Sequence, residues 1–138
     1  MAFDPTKFVI LAAQIVEPAK LPQEEHVRTA CGRAYYSAFL VARERLITVG
    51  HIMPGAATGV SVHRYVIQRL SKSADGTVSA LGLNLSDLFD KRKHADYELK
   101  SKYGFVQSFG ALVALSARNW LEDFQKIPDT QLKAACPP

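Results

Sequence analysis

Apolar residues recur along this chain every three or four positions rather than every second one, and that spacing predicts helices throughout. Phe8, Leu11, Ala12 and Ile15 make the first stripe. Asp4 and Pro5 open it, because Asp caps a helix N-terminus and Pro suits the first helical position. Pro18 and Pro22 close it. A long second helix is expected from about Gln23 to Val49. Its inward face carries Val27, Ala30, Cys31, Ala34, Ala38, Val41, Ala42 and Leu46, with Arg33, Ser37 and Glu44 on the other side. Gly50 supplies its stop. His51 to Val60 reads as a loop, and Ser61 caps a shorter helix carrying Val62, Tyr65, Val66, Arg69 and Leu70. Ser71 to Ser79, with Asp75-Gly76, reads as a break. A fourth helix is expected from Leu85 to about Lys100, capped near Ser86. The last runs from Tyr103 to Ile127 on a stripe of Val106, Phe109, Val113, Ala117, Trp120, Phe124 and Ile127. Pro128 ends it, and the tail to Pro138 is expected to be loose.

No segment alternates with period two and no internal repeat is present, so the expected fold is all-α, a four- or five-helix up-and-down bundle. One domain is expected over residues 1–138, with its core at about 5–127. The 138 residues suffice for a core without a disulfide or metal staple. Hydrophobic residues at 48% and charged residues at 22% are ordinary globular usage, which excludes a disordered or fibrous chain. Lys plus Arg number 17 against 13 Asp plus Glu, a formal charge of +4 that permits a phosphate-bearing partner without demanding one. Cys31 and Cys136 make no disulfide framework and read as reduced thiols of a cytoplasmic protein. No Lys/Arg-led apolar leader stands at the start, and no apolar run approaches the roughly 20 residues that span a bilayer, so no membrane partner is expected.

Much familiar chemistry is missing. The glycines are too scattered for a phosphate loop, and neither HExxH, CxxC nor Gly-x-Ser-x-Gly occurs, so no cofactor and no metal are expected. His26, His51, His63 and His94 sit in four different segments. Cys31 lies on a packed face, where a thiol is inert.

Two stretches stand out: Arg33-Ala34-Tyr35-Tyr36-Ser37-Ala38-Phe39 and Arg92-Lys93-His94-Ala95-Asp96-Tyr97. On the fourth helix Leu85, Leu88, Phe89, Arg92, Ala95, Asp96 and Leu99 share one face, while Asp87, Lys91, His94 and Glu98 share the opposite, solvated one. Arg92 and Asp96 are four apart, so their side chains can meet. The base precedes the acid, which is the weaker order for an isolated helix, and a charge on an apolar face must be paired. Two explanations fit: a packing pair satisfied by the hydroxyls of Tyr35, Tyr36 or Tyr97, or an Arg92 that lines a groove and binds phosphate. His63 and Arg64 open the third helix, where an anion is also favoured. Lys91, Arg92 and Lys93, followed by Lys100 and Lys102, form the only local basic cluster, a solvated face or an RNA-backbone contact.

Together these elements, with His63 between them, resemble the HEPN superfamily over about residues 5–127, in particular its small stand-alone branch. The resemblance implies a helical bundle, often a homodimer, encoded in many cases beside a minimal nucleotidyltransferase. It implies RNA or nucleotide binding, in a toxin–antitoxin or defence setting, and ribonuclease activity in some members. Binding would fall to Arg33, Tyr36, His63, Arg92, Asp96 and Tyr97. The ribonuclease members place a His after four to six intervening residues beyond the Arg. From Arg92 those positions are Tyr97, Glu98 and Leu99, none of them His, and Leu99 stands where a nucleotide-accepting Tyr would follow. Arg45 and His51 have the bare spacing but lie on another element. A diverged, metal-independent endoribonuclease would use Arg92 on phosphate with His63, His94 or His51 moving protons. The remaining alternative is a protein-interaction scaffold with no chemistry.

Overall fold

In the computed structural model, which describes residues 2–138, the chain forms six α-helices: α1 Lys7–Ile15, α2 Glu24–Thr48, α3 Val62–Ser71, α4 Gly76–Tyr97, α5 Gln107–Gln125 and α6 Asp129–Ala135. Single 3-10 turns cover Pro18–Lys20 and Ala56–Thr58, and no strand occurs among the described residues. The fold is all-α.

Helix α2 is the hub, packing against α1, α4 and α5, while α3 lies on α4. Its composition explains this. Ala30, Gly32, Ala34, Ala38 and Ala42 are all buried, and such small side chains let neighbouring helices approach on more than one side. Ser37, expected on the outer side, is therefore fully buried, and its hydroxyl donates at 2.8 Å to the carbonyl of Pro5 in the segment that leads into α1. The predicted stop of α2 holds. Gly50 takes φ +109°, and the amides of Gly50 and His51 return to Ile47 O and Leu46 O. Only glycine adopts that backbone freely. Helices α3 and α4 cross so closely at Gly82 that an added Cβ would lie 2.2 Å from the Ser71 nitrogen.

The expected starts of α4 and α5, and the place of Leu99, also differ from the structure. Helix α4 begins at Gly76, not Leu85, because Asp75 acts as its N-cap, accepting from the amides of Thr77 at 2.9 Å and Val78 at 3.1 Å. Asp-Gly signals a turn and a cap alike, and here the cap wins; Ser86 lies inside the helix. Helix α5 begins at Gln107, not Tyr103. Residues 98–106 form a folded link, in which Leu99 is 93% exposed rather than part of the apolar face of α4.

The tail is not loose. Helix α6 buries Leu132, and Cys136 is buried behind it. Its anchors are long-range. His51 Nε2–H donates to Cys136 O at 2.7 Å, Ser73 Oγ donates to Ala135 O at 2.8 Å, and the Cys136 thiol donates to Arg69 O at 3.2 Å. Both cysteines are free and buried, and no helix among the described residues is long and apolar enough to cross a membrane.

Candidate functional site

The middle of α2, the first turn of α3 and the second half of α4 converge on one patch. Tyr35, Tyr36 and Phe39 come from α2, His63 from α3, and Phe89, Arg92 and Asp96 from α4. The register is simple: Tyr35 and Phe39 are one turn apart, and Phe89, Arg92 and Asp96 follow at three and four residues.

Aromatic rings make the floor. The His63 ring stacks on Phe39 at 4.2 Å and on Phe89 at 5.3 Å between centroids, with Tyr36 edge-on at 5.8 Å. Tyr35 is fully buried and its hydroxyl lies 2.7 Å from His63 Nδ1. That hydroxyl has no other partner, so it donates to Nδ1 and leaves the proton of the neutral ring on Nε2. Burial pushes the Tyr35 phenol far above its ordinary pKa, with Tyr36 adding to the shift. Burial also lowers the pKa of His63, and the positive charges of Arg92 and Arg43 lower it further. His63 is thus a neutral ring that presents an N–H.

Cations form the rim. Arg92 Nη2 donates to the Tyr36 hydroxyl at 3.0 Å, and its guanidinium carbon lies 5.2 Å from the Tyr36 ring and 5.6 Å from the Tyr97 ring. Arg33 approaches the Tyr36 ring to 5.1 Å and the Phe8 ring to 4.9 Å. Tyr36 therefore contacts two guanidiniums. Arg43 sits over Phe39, paired with Glu44, and Lys93 Nζ sits 4.7 Å over Phe89. Only Asp96 and Glu44 oppose these cations in ion pairs; neither Arg33 nor Lys93 has one among the described residues.

The Arg92–Asp96 pair is close but imperfect. Arg92 Nε lies 2.9 Å from Asp96 Oδ2, with the Arg92 side chain 14% exposed and that of Asp96 37% exposed. The carboxylate is off the N–H direction, so the buried Nε makes no well-aligned hydrogen bond. A pair confined to one helix in the weaker order cannot reach the bidentate geometry that gives Arg–carboxylate pairs their strength.

The structure brings Arg33, Tyr36, His63, Arg92 and Asp96 together, with the ring of Tyr97 beside Arg92 though largely exposed. Tyr35, Phe39, Phe89, Arg43 and Lys93 were not among the binding residues expected from sequence, although Tyr35 stood among the hydroxyls near the ion pair, Phe89 on the Arg92 face and Lys93 in the basic cluster. Phe89 could have been added from its three-residue step to Arg92, and Phe39 from its one-turn step beyond Tyr35. The other three histidines lie elsewhere. His51 is buried between the Tyr65 hydroxyl at 2.8 Å and Cys136 O, so both ring nitrogens are occupied. Arg45 is equally committed, donating to Phe124 O, Ile127 O and Asp129 at the end of α5. His94 is not on a fully solvated face; its ring packs edge-on against Tyr103 in the 98–106 link, away from Arg92. His26 caps α2, accepting from the Gln23 amide. No cluster of three or more His, Cys, Asp or Glu able to hold a metal occurs among the described residues.

No family model matches this chain, and neither a curated protein nor a solved structure is significantly similar to it.

Proposed function

We propose that this chain is a HEPN-like helical module, built as an up-and-down bundle, that binds nucleotides or single-stranded nucleic acid on the patch around Tyr36 and Arg92. The observation that carries this reading is the pairing of two guanidiniums, Arg33 and Arg92, with one half-exposed Tyr36 ring beside a stack of His63 and Phe89. Aromatic faces take bases, and guanidiniums take phosphates bidentately. His63 supports binding over cleavage. Its Nδ1 is occupied by Tyr35, so it offers a donor to an anion rather than a lone pair to a 2′-hydroxyl. On this reading the module acts as a homodimer or beside a nucleotidyltransferase subunit, in a toxin–antitoxin or defence setting.

Fluorescence anisotropy with labelled single-stranded RNA, competed by a nucleoside monophosphate and by duplex RNA, tests the binding. Affinity should fall as salt rises, with single strands preferred over duplex. Absence of binding at low salt and high-micromolar protein overturns the reading.

A further inference from the structure

A second group of reactive side chains lies on α4 and the link that follows it, apart from the patch around Arg92. Ser101 Oγ is 2.9 Å from His94 Nδ1, and His94 Nε2 is 3.8 Å from Asp90 Oδ1. Asp90 and His94 are one turn apart on α4, so the helix itself sets their spacing. Ser101 Oγ accepts the Tyr103 amide at 3.0 Å, and its own hydrogen is free to donate to His94 Nδ1 in the tautomer that carries the ring proton on Nε2. With the ring proton on Nε2, that nitrogen lies 3.8 Å from the Asp90 carboxylate, close enough for charge attraction and too far for a direct hydrogen bond. Asp90 is held from its other side, where Oδ2 accepts the Tyr103 hydroxyl at 2.6 Å and Lys102 Nζ lies at 3.5 Å. These bonds, the Tyr103 hydroxyl first, keep the Asp90 carboxyl below its ordinary pKa and therefore ionised.

The loop that carries Ser101 is fixed from beneath. Arg28 reaches across from α2 and donates to the carbonyls of His94, Ala95 and Glu98 at 3.1, 3.0 and 2.9 Å. Ser101 also lines a cleft of about 520 Å³ whose walls include Pro22, Leu99, Phe105 and Val106, with Lys100 at its side. The volume suits a short organic ligand.

We propose that Ser101, His94 and Asp90 form a nucleophilic site beside this cleft that hydrolyses short-chain carboxylic esters. The Ser101 oxygen adds to the ester carbonyl while its proton passes to His94 Nδ1. The acyl–alkoxy bond then breaks, and that proton leaves with the alcohol. Water adds to the acyl–serine carbonyl, gives its proton to His94, and releases the carboxylic acid as Ser101 regains its hydrogen. The balance is ester plus water to acid plus alcohol, with no other reactant. Ser101 and His94 are the catalytic residues. Asp90 is a positioning residue whose carboxylate charge, 3.8 Å from Nε2, stabilises the protonated imidazole.

The inference is independent of nucleotide binding and is tested separately. A fluorophosphonate probe should phosphonylate the intact chain at Ser101, releasing fluoride, with the adduct located by peptide mass spectrometry. His94→Gln, which keeps the serine, should lower the labelling rate and p-nitrophenyl acetate turnover by about 100-fold or more. Circular dichroism should show that this variant remains folded. Ser101→Ala should abolish both signals. Asp90→Asn should lower kcat with KM unchanged. The proposal is overturned if the wild-type protein is not labelled at Ser101, if Ser101→Ala or a folded His94→Gln turns over ester at the wild-type rate, or if Asp90→Asn leaves kcat unchanged.

Discussion

Replacing Arg92 by alanine separates packing from binding, because the two roles are read by different instruments. The folded protein would lose the hydrogen bond to Tyr36, worth about 1 kcal/mol. The ion pair with Asp96 would go as well; with that carboxylate 37% exposed and poorly aligned, it contributes at most about 1 kcal/mol. Contacts with the Tyr36 and Tyr97 rings add about 0.5–1 kcal/mol. The sum is about 1.5–3 kcal/mol. For a chain of this size that lowers Tm by roughly 5–15 °C, measurable by differential scanning fluorimetry. The fold should survive, because no apolar core residue is removed. A charge-assisted contact to phosphate is worth about 1.5–3 kcal/mol, so affinity for single-stranded RNA should fall by about 10- to 150-fold at a temperature where the variant is fully folded. Arg92→Lys should recover little of that affinity, since an ammonium makes no bidentate contact. If Arg92→Ala melts earlier yet binds RNA as tightly as wild type, the guanidinium serves packing alone and the binding patch is wrong.

Other outcomes follow from the same contacts. Gly82→Ala forces a Cβ into the α3 backbone and should destabilise by about 3 kcal/mol or more in urea titration; an unchanged midpoint would mean that α3 and α4 are not packed as described. Leu132→Ala should cost about 2–5 kcal/mol, whereas a disordered tail would leave the midpoint unmoved. Burial pushes the Cys31 thiol up to about 12 and raises Cys136 as well, so iodoacetamide at pH 8 should modify both rapidly only in denaturant. His63 has a folded pKa below its unfolded value near 6.5, so the unfolded chain binds more protons between the two. Its contribution to stability is complete above about pH 6.5 and is lost as pH falls through the folded value. Melting curves from pH 7.5 to 5 should therefore decline less steeply for His63→Gln than for wild type.

The difference between what was legible and what was not follows from the range of the interactions concerned. Helical period is a local property. The stripes of α2 and α5 declared themselves, and the Gly50 stop needed only the rule that a left-handed residue ends a helix. Local signals failed where one residue type has two meanings. Asp75-Gly76 reads as a turn until Asp75 is seen bonding forward to Thr77 and Val78. They also failed for α6, whose seven residues carry too little apolar surface to announce a helix. It is held instead by His51, Ser73 and Arg69, more than 60 residues away in sequence.

The candidate site divides along the same line. Arg92 and Asp96 could be paired from sequence because one helix fixes both. Nothing local indicates that Arg33 and Arg92 share Tyr36, since that depends on how α4 crosses α2. Nor does the sequence show which nitrogen of His63 carries a proton; a hydroxyl 28 residues upstream decides it. Periodicity could say only that His94 falls opposite Leu88. Whether that face meets water depends on the 98–106 link folding back over it, and the link is placed by Arg28 of α2 holding the final carbonyls of α4. A polar side chain acquires its role from the backbone groups that a distant cation or hydroxyl fixes, so the chemistry of this chain became visible only after the helices were set against one another.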